Sequence, residues 1–157
     1  MIKSTKDNSF FSKLSDVLVV ADYSTPEELK KLVKLVTEEF LKGKEVEFLF
    51  IVKEKKLPEM LPAFKGINYI CLGDFNLLGV LKNDKLKTFS SFHNFDALIC
   101  MCWEINRNVL KFTKSLKIKY RIGFERESLP KFDLSFPLSE KSEDKLIELT
   151  VKYLKQL

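Results

Sequence analysis

The sequence predicts a three-layer α/β domain with a mostly parallel sheet. Short apolar runs rich in β-branched residues alternate with amphipathic segments along the chain, a pattern typical of strands covered on both faces by helices. Residues 16–53 form a strand–helix–strand unit, whose crossover we expect to be right-handed. With 157 residues, 45% of them hydrophobic and 31% charged, the chain suffices for one globular domain. The predicted architecture is Rossmann-like, with five to six strands in the order 3-2-1-4-5(-6).

The first half of the chain contains the clearest element boundaries. Asp16–Asp22 is an apolar run between two acids, as expected for a strand buried on both faces. Thr25 is predicted to cap a helix that begins at Pro26 and ends near Gly43. The further elements predicted here are a strand over 45–53, a proline-containing loop over 55–64 and a strand over 68–72.

The second half contains one strongly amphipathic segment, Glu104–Leu116. Ile105, Val109, Phe112 and Leu116 recur in it at helical spacing, so we expect them to pack on the sheet. The other elements predicted are a short helix over 84–92, strands over 95–101, 119–124 and 132–136, and a closing helix from about residue 142. Residues 1–15 are predicted to form an N-terminal arm and residues 16–157 a single domain.

The sequence indicates a cytoplasmic location. The N-terminal residues show no apolar signal-peptide region. No window approaches the roughly 18–20 apolar residues that span a bilayer, so we expect no membrane partner. Cys71, Cys100 and Cys102 are an odd set in apolar surroundings, which favours free buried thiols.

Several chemistries lack the residues that they need. The turn after the first strand, residues 21–26, contains no glycine, so a dinucleotide site is not expected there. No phosphate-binding Gly-x-x-x-x-Gly-Lys-Ser/Thr sequence and no Gly-x-Ser-x-Gly nucleophile turn is present. His93, the single histidine, precedes a strand and is interpreted as structural. We expect no cofactor, no metal and no catalytic residue, which favours a non-enzymatic protein.

Polar residues are nevertheless predicted to meet in the crevice where the strand order reverses, between the first and fourth strands. Asp22 and Glu104 are either a carboxylate pair for acid–base chemistry or structural residues. In the second case Asp22 stabilises the turn after the first strand, and Glu104 stabilises the N-terminus of its helix. Trp103 either stacks on a ligand or fills the core. The candidate residues for a sugar or nucleotide in this crevice are Asp22, Ser24, Thr25, Trp103, Glu104 and Asn106.

The second candidate site is basic. The net charge of +5 is modest, but six basic residues and no acidic one lie between Glu104 and Glu125. Part of this segment is predicted to form a basic stripe opposite the apolar face of the amphipathic helix. Such a stripe is either a solvated helix face or a binding surface for a protein or ribonucleoprotein partner. The basic stripe consists of Arg107, Lys111, Lys114 and Lys117.

Two resemblances accompany these patterns. The strand Phe95–Cys100, a helix and Tyr120–Phe124 together resemble the N-terminal half of heptosyltransferase-type glycosyltransferases. This similarity implies a sugar-nucleotide site or a degenerate transferase-like domain. Over residues 16–157 the chain is more similar to an uncharacterised bacterial family of short Rossmann-like proteins, which implies the fold and no mechanism. The segments that carry this second resemblance are Asp22, Lys56–Pro58, Asp74, Leu77 and Gly79.

The function that these patterns favour is a cytoplasmic module that binds a macromolecular partner, in an oligomeric state that the sequence leaves open. The alternative is a small-molecule site in the crevice. If the stripe binds a partner, Arg107, Lys111 and Lys114 are expected to be exposed and not paired with carboxylates. Phe112 is expected to be buried beneath them.

Overall fold

The structure, a computed structural model, describes residues 13–89, 94–102, 106–124 and 132–136, together with residue 152. Its six strands form one sheet in the order β3-β2-β1-β4-β5-β6, and every pairing is parallel. The predicted three-layer α/β fold and its strand order are confirmed. The strands are β1 Asp16–Asp22, β2 Glu45–Val52, β3 Ile67–Cys71, β4 Asn94–Cys100, β5 Lys117–Phe124 and β6 Leu134–Phe136.

The helices begin where side chains supply the first hydrogen bonds. Helix α1, Pro26–Leu35, begins after Thr25, whose Oγ1 accepts the Glu28 amide N–H at 3.2 Å, and Pro26 occupies its first turn as predicted. A π-helical turn, Val36–Phe40, extends it. Gly43 follows with a φ of 85°, a backbone conformation that favours glycine. Two further α-helices lie within the described ranges, α2 Asn83–Thr88 and α3 Arg107–Lys114, and a 3₁₀ turn, Leu72–Asp74, follows β3.

Helix α3 is shorter than its amphipathic pattern predicts. It begins at Arg107, because Asn106 accepts the Asn108 amide N–H at 2.8 Å and supplies the cap. It ends at Lys114, and the Ser115 hydroxyl donates to the carbonyl of Phe112. Lys117, which the predicted basic stripe of this helix includes, lies instead on the sheet, where it pairs with β4 as the first residue of β5.

The sheet carries a separate apolar layer on each face. In β1, side chains alternate between the two layers, and residues 17–20 have no exposed surface. This confirms the prediction of a strand buried on both faces. One layer lies under α1, and the other lies under α2, α3 and the segment between β3 and α2. The three predicted buried thiols, Cys71, Cys100 and Cys102, are all free and buried.

Several predictions fall on residues outside the described part of the chain. They concern His93, Trp103, Glu104, Ile105 and the closing helix, of which Lys152 alone is described, as a helical and exposed residue. Of the predicted N-terminal arm, the structure describes residues 13–15, in which Leu14 is 3% exposed. Within the described ranges, no helix has both the length and the apolar character needed to cross a membrane.

Asp96 joins the amino ends of β1 and β4. Its Oδ2 accepts the Ser15 amide N–H at 2.7 Å, the Ser15 hydroxyl at 2.9 Å and the Asp16 amide N–H at 3.1 Å. These bonds, with a smaller effect of Lys119, lower the pKa of the Asp96 carboxyl below its usual value. The Asp96 carboxylate therefore connects β4 to Ser15 and Asp16, where β1 begins.

Because the pKa of Asp96 is lower in the folded state, its contribution to stability is present above the unfolded pKa and is lost as pH falls through the folded value. We expect the protein to lose part of its free energy of unfolding below about pH 4, and Asp96→Asn to reduce that loss. Urea unfolding at a series of pH values measures, for each of the two proteins, the slope of the free energy of unfolding against pH. Equal slopes for the two proteins in this pH range would contradict the assignment to Asp96.

Candidate functional site

The crevice residues divide into capping groups and residues at the end of β1. Asp22 is half-buried at the carboxyl end of this strand, and Ser24 is exposed in the following turn. The side-chain oxygens of Thr25 and Asn106 cap α1 and α3 respectively. Trp103 and Glu104 lie outside the described residues. The structure thus shows a helix-capping role for two of the six crevice candidates.

The basic side of α3 has the exposure that its sequence predicts. Arg107, Lys111 and Lys114 are exposed, whereas Val109 and Phe112 on the opposite side are buried. Ion pairs within 4.0 Å between described residues occur at Lys31–Glu28 and Lys85–Asp74, and none involves these three cations. In the described part of the chain, the three charges of α3 are therefore not neutralised by an adjacent carboxylate.

Three more cations come from β5, which lies beside α3. Lys117 and Lys119 are exposed and Arg121 is half-buried. With Lys114 they line an open cavity of about 580 Å³ beneath the C-terminal end of α3. The other described residues that line this cavity are Asn94, Phe95, Leu116 and Ile118. Lys119 and Arg121 were not placed in the predicted stripe, although they belong to the same acid-free segment and alternate along one strand.

Arg121 holds α3 against β5. Its Nη2 donates at 2.9 Å to the carbonyl of Thr113 at the C-terminal end of the helix, and this carbonyl also accepts the Leu116 amide N–H at 3.2 Å. The Arg121 amide N–H donates to Asp133 Oδ2 at 2.8 Å. Burial lowers the pKa of the Arg121 guanidinium, and the carboxylate of Asp133 opposes this shift. A guanidinium remains charged at neutral pH, so Arg121 both positions Lys114 and adds a charge to the cavity.

Two carboxylates lie near the edge of the cavity without forming an ion pair there. Asp96, already hydrogen-bonded by the residues that open β1, interacts with Lys119, whose Nζ lies 5.5 Å from the centre of the Tyr120 ring. Asp133 lies beside Arg121. The cavity wall therefore carries four cations, and these two acids approach it from the neighbouring strands.

Helix stability accounts for the positions of only some of the cations of α3. Lys111 and Lys114 lie in the last turn of α3, where the negative end of the helix dipole favours cations. Arg107 lies in the first turn, which the dipole disfavours for a cation, and that turn contains no acidic residue. Arg107 and Lys111 are also like charges four residues apart, an arrangement that destabilises a helix by about 0.2–0.5 kcal/mol.

Comparison with known proteins identifies the family of this chain but no individual similar protein. No curated protein and no solved structure matches the chain, so the local resemblance to heptosyltransferase-type proteins is not supported by these comparisons. One family model matches residues 2–157, almost the entire chain. Its description is that of a family of unknown function, in agreement with the whole-chain resemblance drawn from the sequence. The chain belongs to this family, DUF6913.

Proposed function

We propose that the protein is a non-enzymatic cytoplasmic module that binds the RNA of a ribonucleoprotein partner. The binding surface, named the basic surface from here on, combines the exposed side of α3 with the adjacent part of β5. The observation that supports it is the continuity of six cations across these two elements, in a part of the chain that contains no acid. The basic surface consists of Arg107, Lys111, Lys114, Lys117, Lys119 and Arg121.

The shape of the basic surface suits a sugar–phosphate backbone. Arg107 and Lys114 are seven residues apart on one helix, about 10 Å along its axis, so the line of cations can contact several successive phosphates. The cavity at the end of that line is wide open to solvent, which allows a strand to lie along it. Among the described residues that line it, the aromatic one is Phe95, which is buried. We therefore propose contacts to phosphates rather than stacking on bases.

The described residues of the crevice give less support for a second site. Two of its candidates, Thr25 and Asn106, use their side-chain oxygens as helix caps. A carboxylate such as Asp22 repels phosphate groups. The basic surface is therefore the site on which the proposed function depends.

Charge reversal tests the proposal directly. We expect Lys111→Glu/Lys114→Glu to weaken binding of a fluorescein-labelled single-stranded RNA by about tenfold or more at low salt, as measured by fluorescence anisotropy. Because each phosphate contact to a single strand contributes about 0.7 to the slope of log affinity against log salt, the double variant should lose about 1.4 from that slope.

The matched control reverses two lysines of α1. Lys30 and Lys34 are exposed and lie one helical turn apart, so Lys30→Glu/Lys34→Glu changes the net charge by the same amount at another place. We expect this variant to bind RNA nearly as tightly as the unaltered protein. Equal weakening by both double variants would show that net charge, rather than the basic surface, attracts the RNA. Absence of measurable RNA binding by the unaltered protein would contradict the proposal.

A further inference from the structure

A turn at the carboxyl end of the sheet exposes three aliphatic side chains to solvent. We call residues 76–80 the apolar turn. Leu77 is completely exposed, Leu78 is 80% exposed and Val80 is 52% exposed. Single exposed apolar residues are common on soluble proteins, whereas adjacent ones mark surfaces that contact a protein or a membrane.

Buried flanking residues and internal hydrogen bonds hold the apolar turn in a defined conformation. Phe75 and Leu81 on either side of it are buried and pair across its base. Asn76 Oδ1 accepts the amide N–H groups of Leu78 at 2.9 Å and of Val80 at 3.0 Å. The Asn76 N–H donates to the Val80 carbonyl, and the Gly79 N–H donates to the Asn76 carbonyl. Four amide N–H groups are thus satisfied internally, which lowers the free-energy cost of removing the turn from water.

Cations flank the apolar turn, and residues 75–82 contain no acid. Gly79 lies against Asn108 so closely that an added Cβ would stand 2.4 Å from Asn108 Oδ1. This contact places the turn beside the start of α3 and hence beside Arg107, the residue before Asn108. Lys82 follows the turn and is exposed. The nearest acid in sequence, Asp74, accepts the Cys71 amide N–H and lies 3.6 Å from Lys85.

We propose that the apolar turn inserts into the surface of an anionic lipid bilayer, with Lys82 and Arg107 next to the lipid headgroups. The three exposed side chains are all aliphatic. The residues that dominate protein–protein binding are Trp, Tyr and Arg, while Leu and Val are under-represented there. A convex aliphatic tip requires no matching pocket in a fluid hydrocarbon layer, and nearby cations add attraction to anionic headgroups.

This contact is peripheral and needs no membrane-spanning segment, so the expectation of no membrane partner, which rested on the length needed to span a bilayer, does not apply to it. It shares Arg107 with the basic surface, but its tests change Met60, Leu77 and Leu78, none of which belongs to that surface. The two proposals can therefore fail separately.

Flotation with vesicles tests the insertion. We expect the unaltered protein to float with vesicles of equal parts phosphatidylcholine and phosphatidylglycerol, and less with phosphatidylcholine alone. Leu77→Ser/Leu78→Ser should reduce the floating fraction about tenfold without changing the thermal midpoint or the affinity for RNA. Met60→Ser removes another strongly exposed apolar side chain, 86% exposed and outside the turn, and should leave flotation unchanged.

A fluorescent label reports the depth of the turn. Leu77→Cys labelled with an environment-sensitive fluorophore should brighten and shift to shorter wavelength with the anionic vesicles, whereas a label at Met60→Cys should not. If the unaltered protein fails to float, the turn does not insert into lipid. If the serine double variant floats as well as the unaltered protein, the bilayer contacts another surface. Either result overturns the proposal. The alternative to test is then that the apolar turn binds in a pocket of a protein partner.

Discussion

We expect Phe112→Ala to lower the free energy of unfolding by about 3–5 kcal/mol. Phe112 is 9% exposed, and its ring centre lies 5.3 Å from that of Phe89. With Val109 it forms the buried side of α3 in the layer that also contains Leu98. Truncation to alanine removes this contact and leaves a cavity between α3 and the sheet, which the surrounding structure fills only partly. Urea unfolding followed by circular dichroism measures the loss.

The control for this prediction lies on the other side of the same helix. Lys111→Ala and Lys114→Ala remove exposed side chains, so each should change the free energy of unfolding by no more than about 0.5 kcal/mol. A loss below about 1 kcal/mol for Phe112→Ala would contradict the packing of α3 described here. If the lysine variants fold normally and bind RNA weakly, the effect on binding is separated from any effect on stability.

We expect Gly73→Ala to lower the free energy of unfolding by about 3 kcal/mol, the upper part of the range for overpacking. A Cβ at Gly73 would stand 2.0 Å from the carbonyl oxygen of Lys55, a backbone atom. The same oxygen accepts the Gly73 amide N–H at 3.0 Å and the Cys71 thiol at 3.2 Å. The backbone around Lys55 must therefore move, and these hydrogen bonds weaken when it does.

Gly43→Ala is the matched control, because it adds the same methyl group where space is open. No atom lies within 4 Å of the Cβ position at Gly43, but its φ of 85° disfavours alanine. The expected loss is about 1 kcal/mol. If Gly43→Ala destabilises the protein as much as Gly73→Ala, the close approach of the Lys55 carbonyl does not determine the outcome. Thermal unfolding of the two variants side by side makes the comparison.

Elements with strong local patterns were predicted from the sequence with accurate boundaries. The bounds of β1 match the prediction because an apolar run between two acids marks both ends of a buried strand. The start of α1 matches because Thr25, Pro26 and Glu28 lie within one turn and specify the cap together. The start of α3 was predicted too early, because apolar spacing continues across Asn106 although the cap interrupts the helix there. The basic stripe was predicted to include Lys117 because the spacing of basic residues continues beyond Lys114, where the helix ends.

The candidate site was predicted less completely than the fold. The sequence indicated the acid-free segment and the exposed side of α3, since both follow from composition and helical period. It did not indicate that Lys119 and Arg121 join Lys114 around one cavity, because that depends on the bond from Arg121 to the Thr113 carbonyl across two elements. Nor did it indicate the role of Asp96, whose partners Ser15 and Asp16 lie 81 and 80 residues away.

The sequence by itself determined which segments form strands and helices and in which order the strands lie. Those properties depend on local periodicity and caps, which act over a few neighbouring residues, and on the handedness of crossovers, which acts within one strand–helix–strand unit. In the segment between β3 and α2, the tertiary structure alone decided which apolar side chains face water. Leu77 and Leu81 belong to one apolar run, yet one is exposed and the other is buried. The hydrogen bonds of Asn76 and the contact of Gly79 with α3 turn the chain between them, and burial depends on which distant elements then cover each side chain.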